Sequence, residues 1–291
     1  MTSKIKTIII RLGPIGERIT KTILGMPNLQ IIGAVDLSKD LIGKDLGRIL
    51  KIDKKIGVTV TNDLISVLSE TEADLAVIAT TSYVRTIYHT VISCIKAGLD
   101  VISSNEELVY PWLSEPEFAS KIDHLAKKYG VTVLSTGANP GYFMDTIPVI
   151  LKAICREVKK IEAISVIKTG LCRESFQRKI GTGMLPSVFL EKIRKGKITG
   201  HVGFRESIAL TAEAIGLKLD EMIELPPKPV IANKKVETIF LTMKPGEMLG
   251  YETIAKGIKD GKEVIIYKLI MHAEIAEGYQ EYTIKGNLIL K

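Results

Sequence analysis

The chain has 291 residues, 46% of them apolar, a length that suits one large domain or two medium ones. No run of roughly 18 residues is apolar without a charge and no cleavable leader is visible, so a membrane-spanning or secreted class is not expected and the compartment reads as cytoplasmic. The net charge is +7, from 40 lysines and arginines against 33 acids; the basic residues are scattered and aromatics are only 5%, which describes solvated lysine-rich faces and no nucleic-acid partner. The three cysteines, Cys94, Cys155 and Cys172, form no CxxC pair, which excludes a disulfide framework and offers no metal site.

In chain order, residues 5–10 (IKTIII) form a strand apolar enough to be buried on both faces. Residues 15–24 have a helical period, with Ile15, Ile19 and Ile23 on one face. Strands are expected at 29–36, 57–60, 74–80, 100–104 and 131–136, and helices at 83–97 and 116–129. Strands alternating with helices predict an α/β fold, an N-terminal Rossmann doubly wound parallel sheet over residues 1–145. The remainder, 146–291, reads as a C-terminal α+β domain with a mixed or antiparallel sheet. Its strands are expected at 161–169, 236–243, 263–273 and 281–290, and its helices at 185–194 and 205–217. The exposed face of such a sheet would suit a homodimer.

The first strand-to-helix turn reads Ile10-Arg11-Leu12-Gly13-Pro14-Ile15-Gly16. It is either an ordinary strand-to-helix turn or a partial dinucleotide fingerprint, G-x-G-x-x-G, with Gly13 and Gly16 in the second and third glycine places and Arg11 in the first. Asp36 stands at the end of the second strand, 20 residues after Gly16, where a carboxylate accepts the ribose 2′-hydroxyl and favours NAD, while Lys39 and Lys44 close by would soften repulsion of the 2′-phosphate of NADP. Gly13, Pro14, Ile15, Gly16 and Asp36 are therefore candidate NAD or NADP contacts. Arg11 either points at the pyrophosphate or obstructs it. Thr80 and Thr81 close the fourth strand, where hydroxyls meet ribose or phosphate or cap the next helix. Asn139 and Pro140, with Gly141, follow the sixth strand as candidate nicotinamide-side contacts.

The fifth strand ends in Ser104-Asn105-Glu106-Glu107. Ligands bind outside the carboxyl ends of such strands, so one glutamate can serve as a general base, or the pair can stabilise a helix N-terminus. Asp145 can hold a substrate ammonium or, in the first turn of its helix, stabilise the helix dipole. Arg178 can bind a substrate carboxylate or sit solvated. His201, between two glycines, is the histidine candidate for a substrate pocket.

Four stretches carry a resemblance. Asn105–Trp112 (NEELVYPW) resembles E-E-L-x-Y-P; Thr136–Thr146 resembles T-G-x-N-P-G-F-x-x-D-T; Gln177–Gly183 resembles Q-R-K-I-G-x-G; Gly200–Ser207 resembles G-H-V-G-x-x-E-S. In that order they resemble the 2,4-diaminopentanoate dehydrogenases and related amine dehydrogenases, a dihydrodipicolinate-reductase-like group. The resemblance implies NAD(P)-dependent oxidative deamination of a primary amine or diamino acid, or its reverse. It places the catalytic glutamate on Glu106, with Glu107 as the fallback. Members of this group are expected to run further past the last strand. Two other readings remain: a reductase of the same group acting on a semialdehyde or cyclic imine, and a non-catalytic dinucleotide-binding protein. Glu106, where a semialdehyde-type enzyme would carry lysine, argues against the semialdehyde version.

Overall fold

The computed structural model describes residues 4–287 and 289–290. By internal contacts the chain divides into residues 1–137 and 138–291. The division falls before residue 138, whereas the sequence reading placed it after 145. Residues 138–145 go with the second unit, where the buried Asp145 receives the Ser207 hydroxyl at 2.9 Å and Met144 joins the apolar core.

The first unit runs β1 (Ile5–Ile10), α1 (Pro14–Leu24), β2 (Leu29–Val35), α2 (Leu46–Ile49), β3 (Val60–Thr61), α3 (Leu64–Glu70), β4 (Leu75–Ile78), α4 (Val84–Lys96) and β5 (Asp100–Ser103). After a 3-10 turn at Glu107–Val109 come α5 (Pro111–Ser114), α6 (Pro116–Tyr129) and β6 (Val133–Ser135). All six strands are parallel, in the order β3-β2-β1-β4-β5-β6, which is the doubly wound Rossmann order. The isoleucine run of β1 is explained by its central place. Ile8 and Ile10 enter the core beneath α4 and α6, while Ile9 enters the opposite core with Ile23, Leu46 and Leu50.

The buried face of α1 is Gly16, Thr20 and Ile23, while Ile15 is exposed. The expected Ile15–Ile19–Ile23 stripe is corrected here. Helix and strand approach so closely at Gly16 that a Cβ there would lie 2.1 Å from the Arg11 carbonyl oxygen. That contact, rather than the apolar period, sets the helix's rotation. The short α2 and α3 were not anticipated; Asp45 and Asp63 cap them through the N–H groups of Gly47 and Ser66.

The second unit contains α7 (Thr146–Lys152), β7 (Val158–Lys168), α8 (Glu174–Lys179), α9 (Pro186–Arg194), α10 (Phe204–Ala214), β8 (Glu221–Glu224) and β9 (Lys228–Ile231). It continues with β10 (Val236–Glu237), β11 (Thr242–Met243), β12 (Met248–Lys259), β13 (Lys262–His272), β14 (Tyr279–Gly286) and β15 (Ile289–Leu290). The main sheet has the order β15-β14-β7-β13-β12-β8, with β9 also on β12. It is mixed: β7 and β13 are parallel and the other pairs antiparallel. One face packs Ile161, Ala163, Tyr251, Tyr267 and Leu269 against Phe189, Phe204 and Ile208.

The strand expected at 236–243 is two short strands, β10 and β11, paired with each other. The strand expected at 281–290 divides into β14 and β15, and Leu288 between them lies outside the described residues. The 12-residue β12 was not expected. Gly250 and Gly257 interrupt its apolar alternation, though Asp260 and Gly261, both at positive φ, form the two-residue hairpin turn into β13.

Gly16→Ala should lower the unfolding free energy by about 1–3 kcal/mol, because backbone rather than a flexible side chain meets the new methyl group. Urea denaturation of the two proteins measures this.

Candidate active site

The β1–α1 turn is held by β2. The Arg11 N–H donates to the Val35 carbonyl at 2.8 Å, and the Leu12 N–H donates to Asp36 Oδ2 at 2.7 Å. Asp36 Oδ1 accepts from the Ser38 N–H at 2.8 Å. Arg11 occupies the left-handed region, φ 78°, as the place of a fingerprint glycine requires. Around this turn opens a cleft of about 600 Å³, lined by Arg11, Leu12, Gly13, Pro14, Glu17, Asp36, Ser38, Leu41, Ala79, Thr80 and Thr81.

The cleft fits a dinucleotide. A Cβ on Gly13 would meet nothing within 4 Å, so the backbone there is open to a ligand, while Gly16 serves packing. The 11-residue α1 starts at this point, with Pro14 in its first turn, and its leading N–H groups favour a pyrophosphate. Ile15, the next residue, is exposed. Thr80 and Thr81 are exposed on the cleft wall. The Thr81 and Thr86 hydroxyls bond each other, and Thr86 donates to the Tyr83 carbonyl at 2.7 Å, which ties this rim to the start of α4. Asp36 keeps its place at the cleft, but both its oxygens are engaged by backbone and its side chain is nearly enclosed, so it chiefly shapes the turn.

After β5, Asn105 organises the loop. It is buried, donates from Nδ2 to the Thr81 carbonyl at 2.6 Å and accepts the Leu108 N–H on Oδ1 at 2.9 Å. Its own carbonyl accepts the Ser135 hydroxyl at 2.6 Å. Sequence reasoning had noted Asn105 only as the neighbour of the glutamates; an asparagine closing a strand was the available signal.

The two glutamates then differ in kind. Glu107 turns back to α4, where its Oε2 accepts the Val84 N–H at 2.8 Å, so it caps that helix. Glu106 is half-buried, and its carboxylate makes no hydrogen bond or ion pair with any described residue. It is the member of the pair available to a substrate.

In the second unit, Asn139 has a buried Oδ1 with no hydrogen-bond partner among the described residues. The Asn139–Pro140 peptide is cis and Pro140 is buried. Asp145 is fully buried and accepts four bonds, from the N–H of Gly141 (2.7 Å), the N–H and hydroxyl of Thr146 (2.5 and 3.0 Å) and the Ser207 hydroxyl (2.9 Å). This corrects the expected ammonium contact: with no face open, Asp145 caps α7 and clamps the Asn-Pro-Gly loop to α10. Arg178 matches the solvated alternative. It is exposed on α8 and paired with Glu174 one turn earlier, at 2.7 Å, an ordinary surface contact.

The His201 ring stands edge-on to Phe204, with centroids 4.4 Å apart, and its Nε2 is enclosed without a hydrogen-bond partner among the described residues, although other parts of the residue reach solvent. Burial, with Lys179 nearby, lowers its pKa to about 4, so the ring is neutral at physiological pH. Burial drives the Tyr251 and Tyr267 phenols well above their usual range, and Tyr267 shares a 2.6 Å hydrogen bond with Thr211. Sequence reasoning missed this tyrosine pair because both lie in strands as ordinary apolar-face residues. Among the described residues, no group of three potential ligands could hold a metal ion.

A parallel doubly wound sheet with a glycine turn, an open helix N-terminus and a carboxylate beyond a neighbouring strand defines a dinucleotide-dependent oxidoreductase. Residues 5–106 match the dihydrodipicolinate reductase N-terminus model, and residues 142–286 match the 2,4-diaminopentanoate dehydrogenase C-terminal domain model. The chain is 31% identical to the 2,4-diaminopentanoate dehydrogenase of Acetoanaerobium sticklandii, over 89% of this chain and 73% of that protein. It belongs to the 2,4-diaminopentanoate dehydrogenase family. An amine dehydrogenase of Streptomyces virginiae is 21% identical over 84% of this chain and 67% of its own length. The fold matches the solved amine dehydrogenase of Mycobacterium smegmatis with a TM-score of 0.82 and 23% identity, covering 99% of this chain and 86% of that one.

Glu107→Ala should cost about 1 kcal/mol of stability through the lost cap, while Glu106→Ala changes it little; thermal or urea unfolding separates them. His201 has a folded-state pKa below its unfolded value. The unfolded chain therefore binds more protons between about pH 6.5 and the folded value of about 4. The stability that neutral His201 contributes is complete above that window and falls as pH drops through it. Melting temperatures across this range should decline less steeply for His201→Asn than for the wild type.

Proposed function

We propose that the chain is an NAD(P)-dependent dehydrogenase that reversibly deaminates a primary amine or diamino acid of the 2,4-diaminopentanoate type to a ketone and ammonia, with Glu106 as its acid–base residue. One observation carries the assignment of the base: of two adjacent glutamates beyond β5, Glu107 is occupied in capping α4 and Glu106 has an unengaged carboxylate. The family relationship supports the reaction class, and Gly13, Pro14, Thr80 and Thr81 are the residues that would hold the dinucleotide.

When bound, the nicotinamide supplies the hydride acceptor. Glu106 takes a proton from the substrate ammonium, freeing the nitrogen lone pair that expels the hydride, and passes that proton to solvent, which its half-buried side chain reaches, so that it is again a carboxylate. Its carboxylate then stabilises the resulting iminium cation. Water adds to the iminium carbon as Glu106 receives its proton, and the carbinolamine collapses to ketone and ammonia. Asn105 keeps the loop in place through Thr81, Leu108 and Ser135.

The reading extends to a homodimer in the cytosol. The outward face of the second unit's sheet sets half-buried Ile164, Ile254, Ile266 and Ile270 among Lys268–Glu252 and Lys256–Glu263 pairs. A face with apolar residues and both charges can complement a second copy of itself. Three free cysteines fit a reducing compartment, and no helix among the described residues is long and apolar enough to cross a membrane.

The test follows reduced nicotinamide at alkaline pH with NAD or NADP and a panel of amines and diamino acids, 2,4-diaminopentanoate among them. Glu106→Gln should lose roughly 10²–10⁴-fold in turnover while its dinucleotide affinity stays unchanged, and Glu107→Gln should retain most activity. Dinucleotide binding with no turnover on any amine would sink the reading.

A further inference from the structure

The residue that breaks the fingerprint is, among the described residues, the one cation lining the dinucleotide cleft. Arg11 is held at φ 78°, a conformation glycine accepts freely and arginine does not. Its guanidinium makes no hydrogen bond or ion pair with any described residue, although Asp36 and Glu17 line the same cleft.

Its position is set by backbone. With its N–H on the Val35 carbonyl and the next N–H on Asp36, Arg11 stands against the carboxyl end of β2. In a doubly wound dinucleotide fold this corner meets the adenosine ribose, where a carboxylate reads the 2′-hydroxyl or a nearby arginine accepts a 2′-phosphate. Here the carboxylate is committed elsewhere. Both oxygens of Asp36 accept backbone N–H groups, and the residue is only 6% exposed. Ser38, exposed on the same wall, adds a hydroxyl. Glu17 lies on α1, beyond the glycine turn and away from the β2 corner in sequence. An unpaired guanidinium suits a phosphate dianion, which it can meet with two parallel N–H donors.

We propose that Arg11 binds the adenosine 2′-phosphate, so that the cleft selects the 2′-phosphorylated dinucleotide, NADP(H), over NAD(H). This rests on the dinucleotide reading of the cleft and is independent of which amine is the substrate. Arg11 is then a specificity residue whose strained backbone places its side chain at the ribose corner.

Calorimetric titration of the whole chain tests it without turnover, using adenosine 2′,5′-bisphosphate and AMP, which differ only in the 2′-phosphate, alongside NADP and NAD. The wild type should bind the bisphosphate at least about tenfold more tightly than AMP. Arg11→Gly should bring the two affinities together by weakening the bisphosphate alone, and NADP should lose its advantage over NAD in parallel. Arg11→Lys should keep part of the preference. Glycine suits the positive φ, so Arg11→Gly is expected to fold, and its unchanged AMP affinity verifies this. Equal binding of the two nucleotides by the wild type would overturn the proposal. So would an equal loss of both in Arg11→Gly, which would assign the guanidinium to the 5′-phosphate. If the wild type binds none of the four ligands, the dinucleotide reading fails and this one with it.

Discussion

The carboxylate of Asp36 holds the first unit's functional end together. Its two oxygens accept the N–H groups of Leu12 and Ser38, so the β1–α1 turn and the chain leaving β2 share one buried anion. Hydrogen bonds to a charged acceptor are among the stronger ones available, and in a nearly enclosed site neither donor has water as an alternative partner. With the turn fixed, Gly16 passes beneath the Arg11 carbonyl and α1 directs its N-terminus at the cleft. Moving Asp36 would release the turn, the helix end and the left-handed Arg11 together.

The same device recurs at other strand and helix ends in each unit. Asn105 bridges Thr81 and Leu108, Glu107 caps α4 at Val84, and Asp145 gathers four donors around the Asn-Pro-Gly loop. Loops beyond parallel strands have no ladder to satisfy their backbone, and side-chain acceptors fill that need. Each acidic group committed this way is withdrawn from chemistry. Glu106 is significant because, in a loop crowded with such commitments, its carboxylate has none.

Legibility followed periodicity. The apolar run of β1 and the alternation of strands and helices made the first unit's sheet readable, because strands buried on both faces show up as uninterrupted β-branched stretches. In the second unit the mixed sheet was expected, but β12 was passed over. Gly250 sits where a Cβ would fall 2.0 Å from the Met271 carbonyl oxygen, and Gly257 gives way to Leu219 and Ile208. Both glycines answer to neighbours distant in sequence, and they hide the strand from a local reading. Of the candidate site residues, the glycine turn was legible because its spacing is a backbone requirement. The roles of Asp145 and Arg178 stayed open because a charged residue looks the same in sequence whether it is enclosed by donors or paired with solvent around it.

Residue order is thus sufficient for features whose cause is local: the buried strands, the glycine turn, the acidic pair at the end of β5, and the kinship that places the chain among the 2,4-diaminopentanoate dehydrogenases. The availability of each side chain is a different kind of property. Glu107 is committed by a backbone N–H in α4, Asp36 by one in the β1–α1 turn, and Asp145 by a hydroxyl on α10, each far along the chain. A hydrogen bond needs its partner within about 3 Å and in line. No local pattern encodes that proximity, and it arises when the chain folds and brings those donors to the carboxylates.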